Sequence, residues 1–247
     1  MKTATWIALA TAGIIPTVPV NAQTYGTFDM GMLTNTLSQS AVTNAETARA
    51  SERLPLTRSL RFSAARSDAT LPSSAQLSYR PSAAAQKQNF AQFIAQTRAV
   101  DPDSAGKLEH LLTSVDVMGE VQKQLGRYGM RTDNLADALA AYLASAWFAT
   151  RASTDDPTPA QMQGLRNQVA CAIGASPEFA DATDAMKQQL AEANLIQAVI
   201  ISGYAETAKA QPALRAQITN TVAEAARKAY GLDLRSMSLG DHGLVPD

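Results

Sequence analysis

From Ser82 onward, apolar residues recur every three or four positions, and this period constrains the fold more than any other feature of the chain. The clearest stripe consists of Leu108, Leu111, Leu112, Val115, Met118, Val121 and Leu125. Such spacing puts the stripe on one helix face, which has to be buried against neighbouring elements. No alternating strand pattern of comparable strength follows Pro81. The sequence therefore predicts an all-α domain, a compact multi-helix bundle of about five to seven helices.

Capping residues divide this domain into separate helices. Residues suited to helix starts stand at Ser82, Pro102, Thr158, Pro159, Gln211 and Pro212, and glycines suited to helix ends stand at Gly126, Gly129, Gly174 and Gly231. Asp181 and Asp184 resemble a capping pair for a long helix that runs towards Ala210. Residues 101–129 fit either two helices or one bent helix.

The segment "RTDNLADALAAYLASAW" places polar residues directly before an alanine-rich run. Asp133 or Asn134 is suited to cap a helix there, with Asp137 in its first turn near the helix dipole. Small alanines on the second face allow another helix to approach closely. Asn134 and Asp137 are also candidate ligand-binding residues, a role that requires Asp137 to face a cavity and not a neighbouring backbone.

The segment "QLAEANLIQAVIISGYAETA" is apolar or small on nearly every face, which is typical of a helix enclosed by neighbours. Asn194 and Gln197 would be buried there, and buried amides need hydrogen-bond partners. They either pair with other helices or, together with Tyr204, line a ligand cavity. Both interpretations fit the sequence, and structural amides are the commoner case.

The first 22 residues have the pattern of a secretory signal peptide. Lys2 precedes an uncharged apolar stretch that is too short to span a bilayer, and "VPVNAQ" matches a signal-peptidase site before Gln23. The sequence therefore predicts export through the general secretory route to the periplasm or the exterior. It predicts no transmembrane segment in the mature chain.

Residues 23–80 are rich in Ser, Thr and Ala and lack a sustained period, so we expect a low-complexity, largely disordered arm. Two short alternating pieces, residues 60–62 and 77–79, are suited either to dock on the domain as extended strands or to remain loose. The helical domain is expected over residues 81–231. Residues 232–247 are too apolar for a free tail and are expected to pack on that domain, with "GDHG" forming a turn.

Charge and cysteine content exclude several classes of function. The chain has 21 basic and 22 acidic residues, a balance that gives no reason to expect nucleic acid as a partner. Its single cysteine, Cys171, excludes an intramolecular disulfide. No basic residue lies close in sequence to activate this thiol, so we interpret Cys171 as an unreactive side chain at a helix contact.

Residues for catalysis or metal binding are sparse. His110 and His242 are the only histidines and lie in no metal-binding motif, so no metal site and no cofactor is predicted. The acidic pairs mostly precede helix starts, where carboxylates are favoured in any protein. A carboxylate-dependent hydrolase would draw on Asp133, Asp137 and Glu192, but no catalytic residue is assigned.

Four segments together resemble an uncharacterised bacterial family, a domain of unknown function found in exported proteins. They are "LSYRPSAAAQKQNFAQFI", "NLADALAAYLASAW", "ASPEFADATDAMKQQLAE" and "YGLDLRSMSLGDHGL". The resemblance covers roughly residues 77–244, and its most specific parts are the helix start at Asn134 and residues 232–244. It implies an exported helical domain and transfers no catalytic residue.

These observations predict a non-enzymatic interaction or binding protein of the cell envelope, whose partner is an envelope component or another protein. One alternative is a small-molecule or lipid binder with an interior cavity. The other is a cell-wall hydrolase, which requires Asp133 or Asp137 to lie near another carboxyl group in an open cleft.

Overall fold

The computed structural model describes residues 72–176 and 179–247, so the predictions for the signal peptide and for residues 23–71 lie outside the described residues. The helices are α1 (Ser74–Leu77), α2 (Ala83–Val100), α3 (Pro102–Ser114), α4 (Val117–Gly126), α5 (Leu135–Ala149), α6 (Pro159–Gly174), α7 (Asp184–Ala210) and α8 (Arg215–Tyr230). They are followed by the strands β1 (Met237–Gly240) and β2 (Gly243–Pro246). Within the described ranges the predicted multi-helix fold is confirmed, and a short hairpin is added to it.

Most helix boundaries follow from the capping residues. The Ser82 hydroxyl accepts a hydrogen bond from the Ala85 amide at the start of α2, and Thr158 forms a reciprocal capping box with Gln161 at the start of α6. Gly231 ends α8 with a φ of 67°, a left-handed conformation that suits glycine.

Two boundaries refine the sequence interpretation. The stretch from residue 101 to 129 contains two helices, because the chain leaves helical geometry at Val115 between α3 and α4. At the start of α7 the cap is Thr183, whose hydroxyl accepts from the Met186 amide at 3.2 Å, and Asp184 lies in the first turn. The expected pairing of Asp181 with Asp184 is therefore not the cap.

The centre of the molecule is formed by α5 and α7, which share the most extensive helix contact. Alanines of α5 are completely buried, as expected for residues that let a second helix approach closely: Ala136, Ala138, Ala140, Ala141, Ala144 and Ala146. In α7 an uninterrupted run from residue 187 to 202 is buried. Both helices are thus enclosed, as their composition predicts.

Residues 77–79 dock on this bundle. Ser78 forms an antiparallel bridge with Asn134, and the Tyr79 amide donates to the Asp133 carbonyl at 3.1 Å. The Tyr79 hydroxyl donates to the Thr132 carbonyl at 2.9 Å. Of the two possibilities left open for this piece, docking is the one observed, although only Ser78 forms a strand-like bridge, because Leu77 ends α1.

Residues 232–247 contact the helices and are folded partly as a β-hairpin. In this hairpin Leu239 lies opposite Leu244, and the turn falls at residues 241–242. The side chains that hold it to the helices are buried: Leu232, Leu234, Met237, Leu239 and Leu244. The strands are only four residues long, so the alternation they contain is too brief to stand out in the sequence.

Helix side chains satisfy both outer edges of the hairpin. On the β1 side, the Trp147 indole donates to the Met237 carbonyl at 2.7 Å, and the Gln161 amide donates to the Leu239 carbonyl at 3.0 Å. On the β2 side, Gln168 donates to the Leu244 carbonyl at 2.7 Å and accepts from the Leu244 amide at 2.8 Å. Side chains of α5 and α6 thus take the place of further strands, which an isolated hairpin would lack.

Candidate functional site

Asn134 is a buried cap at the start of α5. Its Oδ1 accepts from the amides of Ala136 and Asp137 at 3.0 and 3.2 Å, and its Nδ2 donates to the Ser78 hydroxyl at 3.2 Å. The side chain is 1% exposed. The expected cap is therefore present, and the same amide also fastens the segment that precedes α2.

Asp137 lies next to this cap and binds a neighbouring backbone. One carboxylate oxygen accepts from the Arg131 amide at 2.8 Å, and the other accepts from the Arg166 guanidinium of α6. Burial raises the pKa of the Asp137 carboxyl, and the hydrogen bond from Arg131 and the charge of Arg166 oppose that rise. A ligand role for Asp137 requires a carboxylate that faces a cavity. In the structure this carboxylate instead binds the Arg131 backbone and the Arg166 side chain.

Asp133 takes part in a different interaction. Both of its carboxylate oxygens bind the Arg131 guanidinium, at 2.6 and 2.7 Å. This hydrogen-bonded pair holds the pKa of Asp133 below its ordinary value, although partial burial opposes the effect. Asp133 and Asp137 are thus each engaged by arginines, and the hydrolase alternative gains no support from them.

Glu192 is the third carboxyl of interest. It lies on α7 and faces α2. Its oxygens accept from Gln188 at 2.8 Å and from Asn89 at 2.7 Å, and the Gln86 side chain also hydrogen-bonds to it. Burial raises its pKa, and these amides counteract the rise. Among the described residues no basic side chain pairs with it, so amides alone compensate for its burial.

The buried amides predicted in α7 are also engaged. Asn194 donates to the Leu190 carbonyl at 2.8 Å and accepts from the Tyr230 hydroxyl at 2.7 Å. Gln197 and Tyr204 are 5% and 2% exposed, and neither is without a partner. The structure thus places Asn194 in the contact between α7 and α8. A ligand role for Asn194, Gln197 and Tyr204 stays a prediction.

The five predicted site residues do not form one cluster in the structure. Asn134 and Asp137 adjoin each other at the start of α5, whereas Asn194, Gln197 and Tyr204 follow one another along α7. None of the five lines the groove that lies between α2 and α3.

Among the described residues, a groove between α2 and α3 has the size of a ligand site. Its volume is about 440 Å³, within the range of about 300–1,000 Å³ that is usual for small-molecule sites. The residues of α2 that line it recur at helical spacing: Ala83, Gln86, Lys87, Phe90, Ala91, Ile94 and Arg98. The α3 side is formed by Glu109, Leu112 and Thr113.

The sequence predicts the apolar face of α2 but not the groove itself. Phe90 and Ile94 fall on the apolar face of α2 together with Phe93, and this face is expected to be buried. In the structure Phe93 and Ile94 are buried, whereas Phe90 is only partly covered and faces the groove. The opening depends on how far α3 lies from α2, which no residue pattern within either helix specifies.

Cys171 and the two histidines lie outside this groove. Cys171 is partly buried in α6, and that burial raises the pKa of its thiol, which lowers the fraction of reactive thiolate. His110 and His242 are exposed on α3 and in the hairpin turn. Across the described residues no group of His, Cys, Asp and Glu could hold a metal ion, and no helix has both the length and the apolar character to cross a bilayer.

Comparison with known proteins finds one family. Residues 3–247 match the model of a family described as "Family of unknown function (DUF6683)". No curated protein and no solved structure matches the chain. The match confirms the resemblance to an uncharacterised family and brings with it no activity, ligand or catalytic residue.

Proposed function

We propose that the chain, which belongs to this family of unknown function, is an exported, non-enzymatic binding protein. Its binding site is the groove between α2 and α3, and its ligand is a small, largely apolar molecule. The observation that carries the proposal is the groove itself, with a volume of about 440 Å³ and a floor formed by Phe90, Ile94 and Leu112. Apolar lining with a few polar groups is the usual character of small-molecule sites.

The carboxyl groups favour binding over hydrolysis. A hydrolase needs two carboxyls that face one substrate, whereas Asp133 and Asp137 bind arginines and Glu192 is enclosed by amides. The hydrogen bond from Arg166 to Asp137 joins α6 to α5, and the one from Asn89 to Glu192 joins α2 to α7. The groove, in contrast, has an open apolar surface that no element of the described chain covers.

Dye binding tests the use of the groove. N-phenylnaphthylamine is neutral and becomes fluorescent in apolar surroundings, so it should bind the protein saturably with one dye per chain. Ala91→Trp fills the groove from an exposed position and should abolish the signal. Ala95→Trp is the matched control, because Ala95 is exposed on α2 but does not line the groove. Equal dye binding by both variants would contradict the proposal.

The export component rests on the pattern of residues 1–22 and has its own test. Expression in a bacterium followed by fractionation should place the protein in the periplasm or the medium. Intact mass measurement should give a chain that begins at Gln23. A protein that keeps Met1 and stays in the cytoplasm would overturn this component without affecting the groove.

A further inference from the structure

The two ends of the groove differ in charge. At one end Arg98 of α2 and Glu109 of α3 form an ion pair at 2.5 Å, so their charges largely cancel. At the other end lie Gln86 and Lys87, in the first two turns of α2. The Gln86 side chain is already hydrogen-bonded to Glu192. Lys87 is therefore the charged group that the polar end offers to a ligand.

Lys87 makes no hydrogen bond or ion pair with any residue in the described part of the chain, and its side chain is exposed. A free ammonium beside an apolar surface attracts an anionic group and repels a cationic one. The groove thus has one uncompensated positive charge at a single end, which favours a ligand with one negative head group.

Between the two ends the surface is mostly apolar. Phe90, Ala91, Ile94 and Leu112 line it. Arg98 follows Lys87 by eleven positions, which corresponds to about 16 Å along a helix. This length and the apolar lining suit one extended alkyl chain that runs from the polar end along α2.

We propose that the groove binds a single-chain aliphatic carboxylate, with the carboxylate at Lys87 and the chain lying along Phe90 and Ile94. This inference rests on the proposed use of the groove for binding. The volume of about 440 Å³ accommodates one such chain. The two chains of a diacyl lipid exceed it.

Three probes with the same chain and different heads test the head-group preference: dodecanoate, dodecanol and dodecyltrimethylammonium, each below its micelle concentration. Each competes with N-phenylnaphthylamine for the wild-type protein. Dodecanoate should displace the dye about 1.5- to fivefold more effectively than dodecanol, the ratio expected for an exposed ion pair. The cationic probe should be the weakest of the three.

Substitutions at Lys87 locate the preference. Lys87→Gln should remove the advantage of dodecanoate over dodecanol, and Lys87→Glu should make dodecyltrimethylammonium the strongest competitor. Lys228→Gln is the matched control, since Lys228 is exposed on α8 and does not line the groove. Because Lys87 is exposed and pairs with no other described residue, neither substitution should alter folding, and circular dichroism verifies this.

The possible outcomes separate this inference from the proposed function. If the three probes displace the dye equally, or if Lys87→Glu keeps the preference for dodecanoate, the carboxylate assignment is wrong and the apolar groove stands. Displacement by diacyl phosphatidylglycerol vesicles as effective as by dodecanoate would assign a lipid. A wild-type dimer that Ala91→Trp converts to a monomer would place a second copy in the groove. Dye binding unchanged by Ala91→Trp would overturn the proposed function itself.

Discussion

Asn134 and Ser145 lie on the same helix and are both buried, but only Asn134 has hydrogen-bond partners. Asn134 caps two amides of α5 and binds Ser78, whereas the Ser145 hydroxyl has no partner in the described structure. A buried polar group without a partner costs free energy, and one with good partners contributes stability. The two residues should therefore respond in opposite directions to the same substitution.

Asn134→Ala should lower the free energy of unfolding by about 1–2 kcal/mol, because it removes the helix cap. Ser145→Ala should raise it by about 1 kcal/mol, because it removes an unsatisfied hydroxyl. Urea denaturation at constant pH measures both values. If both variants lose stability by a similar amount, Ser145 has a hydrogen-bond partner.

Glu192 should make the stability of the protein depend on pH. Burial raises its pKa in the folded state above the unfolded value of about 4.3. The folded state therefore binds the proton more tightly, and this contribution to stability is present below that unfolded value. It is lost as the pH rises through the folded pKa.

Glu192→Gln removes this titration, so its free energy of unfolding should increase relative to that of the wild type as the pH rises from about 4.5 to 7.5. Urea denaturation at a series of pH values measures the difference. Glu224→Gln is the control, since Glu224 is exposed on α8. If the Glu192→Gln difference is as flat with pH as that of the control, the buried carboxyl does not titrate in this range.

At the scale of elements, the hairpin is held where its turn meets α6. A Cβ atom on Gly164 would lie 2.2 Å from the Asp241 carbonyl oxygen, a backbone atom that cannot turn away. Gly203 of α7 also lies within a helix, but a Cβ there would meet nothing within 4 Å. Close backbone approach is therefore the reason for the first glycine and not for the second.

Gly164→Ala should displace the hairpin and cost about 1–3 kcal/mol, the usual cost of overpacking. Gly203→Ala should instead stabilise the protein by about 0.5–1 kcal/mol, because alanine has the higher helix propensity. Thermal unfolding gives the sign of each change. Hydrogen exchange at the Leu244 amide, which Gln168 binds in the wild type, reports whether the hairpin has moved. A stabilising Gly164→Ala would contradict the contact with Asp241.

At the scale of the whole molecule, residues 232–247 belong to the same core as the helices. Leu234 and Leu244 are completely buried and Leu239 is nearly so. Burial of one leucine side chain contributes about 1.5–3 kcal/mol, and a domain has only about 5–15 kcal/mol in total. The helices cannot lose this segment and keep their stability.

A chain that ends at Gly231 should therefore unfold at a much lower temperature than the full chain, or fail to fold. Differential scanning calorimetry compares the two. His242→Ala serves as the control, because His242 lies exposed in the turn of the same hairpin and its loss should leave the transition unchanged. A truncated chain with the wild-type transition would show that residues 232–247 are an accessory and not part of the core.

Local signals allowed several features to be predicted without the structure. Ser82, Thr158 and Gly231 mark helix ends because their side chains or backbone conformations act on amides and carbonyls within the same turn. Enclosure of α5 and α7 follows from composition, since apolar or small residues on every face require burial on every face. The cap at Asn134 belongs to the same class of local feature.

The groove and the hairpin belong to the other class. Nothing in the sequence near Gln168 distinguishes it from other helical glutamines. Its role depends on Leu244, which is 76 residues later in the chain. Asp137 is a candidate site residue in the sequence, and its ion pair with Arg166 of α6 is visible only in the structure. These roles depend on partners that are distant in sequence, and no single-segment pattern encodes the distance between two helices.

The sequence by itself thus determined the helical class, most helix boundaries and the burial of the two central helices, because each depends on interactions within a few residues. Only the tertiary structure decided that Asn134 and Asp137 are held by Ser78 and by arginines. It also decided that Phe90 faces an opening and that Lys87 at its edge has no partner among the residues that the structure describes. The physical reason is that binding surfaces arise where packing between distant segments is incomplete, and that is a property of the assembled fold.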